Sequence, residues 1–359
     1  MKTPLPPVAP TPRLRHLAAM TPAIFGLSGT HLTADERAFF READPAGYIL
    51  FGRNIESRAQ VRALTDDLRA IHGRDKLLIC IDQEGGRVAR MKPPVWPAYP
   101  AGGMFDRLFE VAPASAIQAA RLNAHALGMD LAEVGISVDC TPLLDVRQPG
   151  AHDVIGDRAL GREPIRVAAL ARGILAGLRA AGVEGVVKHM PGHGRAMADS
   201  HKELPTVSAS EAELERDLQP FRALASAPVA MTAHVRFTAW DAENPATLSP
   251  FVVGEVIRRR IGFDGLLLTD DIDMEALEGT VPERAGRAIS AGCDLVLNCW
   301  AKMDDMEAIA GRLPAMGEAS AARLERALAG TRVPAAYDAA LHAALLHERD
   351  ALARPLEAV

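Results

Sequence analysis

Aromatic side chains make up only 4% of this chain, while Ala, Leu, Val and Gly dominate it. That composition suits helices packed closely on a sheet. No stretch approaches about 18 uninterrupted apolar residues, so a membrane span is excluded. There is no run of like charges, no low-complexity tract and no repeat with a period of about 20–50 residues. The net charge of −6 argues against a nucleic-acid or anionic-membrane partner. Cysteine is sparse, and Cys80, Cys140, Cys293 and Cys299 form no C-x-x-C pair. Buried free thiols in a reducing compartment are therefore expected. The first residues carry basic groups followed by an apolar stretch. A Pro-rich start, the interruption at Pro22 and the lack of a clear cleavage site count against an export signal. The expectation is a cytoplasmic protein.

Short apolar runs alternate with longer helical patterns along the 359 residues. The strand candidates are 23–29, 47–54, 77–86, 136–145, 183–190, 228–235, 264–271 and 293–300. Most are continuously hydrophobic and turn polar only at the carboxyl end, as parallel strands covered on both faces do. Between 114 and 135, Ile117, Ala120, Ala124, Leu127, Leu131 and Val134 share one face, with Gly135 placed as a C-terminal cap. Ser249-Pro250, Pro164 and Pro282 each open a helical pattern. The expected fold is α/β: a single-domain (β/α)8 TIM barrel, irregular near its start. It would span about residues 20–315, and a C-terminal helical extension would occupy 316–359. A doubly wound open sheet is the structural rival.

Asp82, Lys188, His189, His234, Asp270 and Asp271 all fall at the carboxyl ends of predicted strands, the face on which barrels build active sites. The densest polar stretch is "KHMPGHGRAMADSH", Lys188 to His201. His189 and His193 are four apart, but Pro191-Gly192 separate them, so one helix cannot present both. Zinc held by His189, His193, His201 and Asp199 in a loop stays open. Asp199 and His201 are two apart. On an extended backbone they would point the same way, giving a carboxylate-supported imidazole suited to acid and then base work. "GLLLTDDIDM" places Asp270 and Asp271 where a buried strand emerges, and spacing does not choose between them. "IDQEGGRVAR" supplies Asp82, a glycine turn, Arg87 and Arg90, while "VIGDRAL" adds Arg158. Carboxylates and guanidinium groups together suit sugar hydroxyls.

Taken in order, "FGLSGTHLTADERAFF", "ILFGRNI", "IDQEGGRVAR", "VIGDRAL", "KHMPGHGRAMADSH", "TLSP" and "LLLTDDIDM" resemble glycoside hydrolase family three. The resemblance is nearest to its single-domain bacterial β-N-acetylglucosaminidases of peptidoglycan recycling. It implies Asp270 as nucleophile, His201 as acid/base and Asp199 as the partner of His201. Sugar-binding positions carry over to Asp82, Arg90, Arg158, Lys188 and His189, and Met274 would line the site. It also implies retention through a covalent glycosyl-enzyme, no cofactor and no metal. The substrate would be a small molecule, N-acetylglucosaminyl-anhydromuropeptide, handled by a monomer. Two positions depart from the family pattern: Met190 stands where Phe is usual, and Asp273 where a small polar residue is common. The first implies a packing change, the second added negative charge near Asp270. The rival readings are a same-family exo-β-glucosidase or xylosidase, a zinc-dependent barrel hydrolase and a non-catalytic sugar-binding protein.

Overall fold

The computed structural model describes residues 17–358 apart from 18, 151 and 201. All eight expected strands form: β1 (Thr21–Gly26), β2 (Pro45–Leu50), β3 (Leu78–Ile81), β4 (Val138–Asp139), β5 (Glu184–Met190), β6 (Val229–Thr232), β7 (Leu266–Asp271) and β8 (Leu295–Asn298). Each pairs in parallel with its chain neighbours, and β1 with β8 closes the barrel. The open-sheet alternative is thereby excluded.

Why the strands are apolar throughout follows from which way successive residues point. Ile24, Ile49, Leu78, Cys80, Val138, Val186, Val229, Leu266, Leu268 and Leu295 pack together inside the barrel. Their neighbours Phe25, Tyr48, Leu50, Ile79, Ile81, Val187, Leu267 and Val296 join the outer core beneath the helices. Both faces are dry along the lower part of the strands, so polar side chains gather toward their carboxyl ends.

The helices in chain order are α1 (Ala34–Ala43), α2 (Arg58–His72), α3 (Gly102–Val111), α4 (Pro113–Glu133), α5 (Pro164–Ala181), α6 (Glu211–Ala223), α7 (Val281–Ala291), α8 (Met303–Arg312), α9 (Glu318–Leu328) and α10 (Ala339–Ala353). A π-helical segment, Val252–Ile261, lies between α6 and α7. Pro164 and Pro282 sit in the first turns of α5 and α7. The Ser249 hydroxyl accepts the amide of Val252 at 3.1 Å, as a cap should. Gly135 takes φ +80°, one residue past the C-cap Val134 of α4. The expected irregularity near the start is present, and a second one lies further along. The pairing of β1 with β2 shifts register between Thr21 and Ile24, and β3 is followed by a long connection and by two helices, α3 and α4.

Residues beyond 315 pack against the barrel. Met316, Leu324 and Leu328 belong to the interior cluster and close the barrel's amino-terminal end. Burying each such leucine contributes roughly 1.5–3 kcal/mol. Asp294 at the start of β8 holds α9 through the Ser320 hydroxyl at 2.6 Å and Arg323 at 3.1 Å. The apolar plug therefore lies at the floor, and polar groups are free to gather at the opposite mouth.

Candidate active site

Continuing the inward-facing positions by one more alternation leads straight to the chemistry. Leu78 and Cys80 are followed by Asp82, Val186 by Lys188, and Leu266 and Leu268 by Asp270. Three strands thus place a carboxylate, an ammonium and a second carboxylate on top of the apolar layers. They line a cleft of about 460 Å³ together with Arg90, Arg158, His189 and Asp199. The structure so brings together seven of the nine residues expected in the site. His201 lies outside the described residues. Met274 is buried and is not among the residues lining this cleft. Its amide closes a turn onto the Asp271 carbonyl at 3.2 Å, which takes the chain away from the cleft after β7.

Lys188 is almost fully enclosed, and its ammonium donates to Asp82 Oδ1 at 3.1 Å and pairs with Glu84 Oε1 at 2.7 Å. Arg158 engages both oxygens of Glu84, each at 2.7 Å, in a bidentate clamp. Burial alone would raise the Glu84 carboxyl. The Lys188 ammonium and the Arg158 guanidinium outweigh it and hold Glu84 down to about 2. Arg90 donates to Asp82 Oδ2 at 3.3 Å and lies over the Phe51 ring. Sequence reasoning missed Glu84, although it sits inside a quoted motif. Gly85 and Gly86, at φ +99° and +58°, form the turn that lets the chain leave the cleft directly after it.

His189 is set by a second missed residue, Asp145, which is fully buried. The carboxylate accepts His189 Nδ1–H at 2.8 Å and the His193 amide at 2.6 Å. That fixes the tautomer and leaves His189 Nε2 toward Asp270 Oδ2, 4.0 Å away. Asp145→Asn would still accept the His193 amide, but it would present an NH2 to Nδ1 and reverse the ring's tautomer. The expected outcome is a loss of about 10²-fold in kcat/KM, the scale of a displaced binding group. Steady-state kinetics on a variant with wild-type circular dichroism checks it.

Asp270 and Asp271 are adjacent but occupy different surroundings. Burial would raise Asp270, yet His189, His234, the Asp271 amide and Lys188 outweigh it and bring it down to about 2. Asp271 is pushed well above the usual carboxylate range, first by burial and then by the Asp273 carboxylate. Its Oδ1 accepts the amides of Asp273 and Cys299, each at 3.2 Å, and Asp273 Oδ2 accepts from Asn298 at 2.6 Å and from the same Cys299 amide at 3.3 Å. The extra acid at 273 therefore pushes Asp271 further up, while Asp270 is held down by its own neighbours. Met190, the other departure, is fully buried in the outer core, consistent with a packing change.

Burial keeps His234 below its usual pKa. Its Nε2–H donates to the Asp271 carbonyl at 2.9 Å, and its Nδ1 lies 2.7 Å from the Thr247 hydroxyl. The "TLSP" segment thus supports the end of β7. In the Lys188–His201 stretch, Ser200 meets His193 Nε2 at 3.3 Å, and its carbonyl accepts the Ala276 amide at 3.3 Å. The Asp199 carbonyl accepts from Lys202 and Glu203 at 2.9 and 3.1 Å. That is a turn, and the expected pairing of Asp199 with His201 lies outside the described residues. Among the described residues, no group of three or more His, Cys, Asp and Glu is placed to hold a metal ion.

Sugar hydroxyls call for donors and acceptors together, and this cleft interleaves both around the Asp270 carboxylate, the equipment of a glycoside hydrolase. The particular family follows from comparison: residues 19–333 match the glycosyl hydrolase family 3 N-terminal domain, and the chain belongs to that family. A beta-hexosaminidase of Alkalilimnicola ehrlichii is 42% identical over 283 residues, covering 77% of this chain and 80% of that protein. One of Aromatoleum aromaticum is 34% identical over 341 residues, covering 94% and 95%. The crystal structure of NagZ from Neisseria gonorrhoeae in complex with N-trifluoroacetyl-D-glucosamine superposes with a TM-score of 0.83 at 30% identity, covering 93% and 97%. The same neisserial protein in complex with zinc ion gives a TM-score of 0.82 at 29% identity, covering 93% and 98%.

Proposed function

We propose that this protein is a retaining exo-β-N-acetylglucosaminidase. It removes terminal N-acetylglucosamine from β-1,4-linked anhydro-N-acetylmuramic acid, with or without a peptide stem, in the cytoplasmic recycling of peptidoglycan. The observation that carries this reading is the ionised Asp270 carboxylate, turned into the cleft beside His189 and Lys188. The names of the relatives and the N-acetylglucosamine derivative bound by the neisserial protein support the choice of sugar.

In the first step Asp270 attacks the anomeric carbon as the glycosidic bond breaks, and His201 gives its proton to the departing oxygen. In the second, His201 takes a proton from water, the hydroxide attacks the same carbon, and Asp270 leaves as carboxylate. Two inversions return the starting configuration. Lys188, His189, Asp82, Arg90 and Arg158 hold the sugar so that Asp270 stands in line with the bond. Asp199 supports His201. No cofactor takes part, and the working form is a monomer.

The test is release of an aryl alcohol from its β-N-acetylglucosaminide, with the β-glucoside alongside and EDTA present. Turnover of the acetamido sugar alone is expected. Preference for the plain glucoside would keep the family and overturn the substrate. Loss of turnover with EDTA, regained on adding zinc, would replace the proposal by a metal-dependent hydrolase.

A further inference from the structure

Helix α10 lies beyond residues 19–333, the part that matches the family, so family membership assigns it no role. Leu345 joins the outer core and Leu346, Leu352 and Ala353 pack against it, and beside them lies a buried polar contact. Tyr99, Asp130 and His342 are 6%, 1% and 6% exposed. The Tyr99 hydroxyl donates to Asp130 Oδ2 at 2.5 Å. His342 Nε2–H is then left as a shared donor, to Tyr99 Oη at 3.1 Å and Asp130 Oδ2 at 3.3 Å. Arg58 completes the carboxylate at Oδ1, 2.9 Å away, and its guanidinium lies over Trp96 and Tyr337. Tyr337 in turn packs on the His342 ring at 5.3 Å between centroids.

Tyr99 is where this cluster meets the cleft. Its carbonyl accepts the Gly86 amide at 2.8 Å. A side chain at Gly85 would strike the Pro100 carbonyl, and one at Gly86 would meet Ala101 at 2.6 Å, so the Tyr99–Ala101 backbone is seated on the glycine turn. Immediately before that turn stands Glu84, the shared partner of Lys188 and Arg158. Within the same connection Gln83 Oε1 accepts the amides of Arg90 and Met91, at 2.8 and 3.0 Å. An uninterrupted set of contacts runs from α10 through Tyr99 to the residues that receive the sugar.

We infer that α10 is a positioning element of the sugar-binding side of the cleft, acting through the His342–Tyr99–Asp130 cluster on the Glu84–Arg90 segment. The inference rests on the proposed glycosidase reading for its kinetic consequences, not for its structural ones. His342 touches no substrate. Its removal acts on Lys188, Arg158 and Arg90, which bind the sugar, and leaves Asp270 on β7 where it is.

The experiment uses the full chain carrying His342→Ala, Tyr99→Phe, both together, and Arg349→Ala as a control. Arg349 joins the same helix to Asn123 at 3.0 Å and makes no hydrogen bond to Tyr99, Asp130 or His342. His342→Ala and Tyr99→Phe should each raise KM for the aryl N-acetylglucosaminide about tenfold with kcat nearly unchanged, since a small displacement weakens binding of the sugar. The double variant should be no worse than the worse single, and Arg349→Ala should lower Tm at wild-type KM. Hydrogen exchange at Gly86, Arg90 and Met91, read without substrate, should quicken in the first two variants only. A fall in Tm with unchanged KM and unchanged exchange at those amides would overturn the inference, as would an equal KM rise in Arg349→Ala. If His342→Ala does not fold, Tyr99→Phe, which keeps the ring, decides the matter. A wild-type chain that turns over no N-acetylglucosaminide would sink the glycosidase reading and leave the exchange result to judge the positioning role.

Discussion

Asp270→Asn is expected to lower kcat on the order of 10⁴-fold, about 5 kcal/mol of transition-state stabilisation. An amide has the shape of the carboxylate but neither its charge nor its capacity to form the glycosyl ester. The fold should survive, because Asp270 lies in the cleft above the apolar layers and its loss leaves no void in the core. Asp271→Asn is the matched control. Its carboxyl faces Asp273 and the Cys299 amide, and burial holds its pKa above the usual carboxylate range, so kcat should fall by no more than about tenfold, one 1.4 kcal/mol step. Mass spectrometry of wild-type protein quenched with a slow substrate should find the sugar on the peptide holding Asp270. Equal losses in the two variants would reject the assignment.

Glu84→Gln should be the most damaging substitution that touches no reacting atom. Lys188 and Arg158 share this carboxylate inside the protein, and an amide offers them one oxygen without charge. Removing one member of a buried charged set typically costs about 3–5 kcal/mol. Here Arg158 loses its bidentate partner and Lys188 keeps only Asp82, so a large drop in Tm is expected alongside a KM raised about tenfold or more. The pH dependence gives an independent reading. Glu84 sits near 2 when folded, against about 4.3 in an unfolded chain. Its folded value is depressed, so its contribution is complete above about pH 4.3 and disappears as pH falls through about 2. Wild-type Tm should decline across that window more steeply than that of Glu84→Gln. Parallel curves would show that Glu84 does not hold its charge as described.

Much of the barrel was legible because a strand covered on both faces needs an unbroken apolar run, and eight such runs stand in the sequence. The choice of Asp270 over Asp271 was also latent there. Leu266 and Leu268 set the inward alternation, and Asp270 continues it. That argument needs the knowledge of which face is the barrel interior, which a run apolar on both faces conceals. Glu84 and Asp145 were hidden for another reason. Each works by meeting cations or a ring from a distant strand, and its own segment carries no trace of those partners. The turn after Asp199 likewise depends on backbone bonds to Lys202 and Glu203 that two-residue spacing does not foretell. His342 carries no signal of its own in the sequence, and only the fold sets it against Tyr99.

All four cysteines are buried free thiols, and their placement has a use beyond packing. Cys80 and Cys140 lie in the barrel interior, sealed by α9 below and by the Asp82, Lys188 and Asp270 layer above. Cys293 lies in the outer core, its thiol toward the Thr247 carbonyl. An alkylating reagent reaches the first two only when the barrel opens, and the last when its helical shell loosens. The molecule thus carries two internal clocks, one for its centre and one for its rind, that can be read by mass without adding a probe.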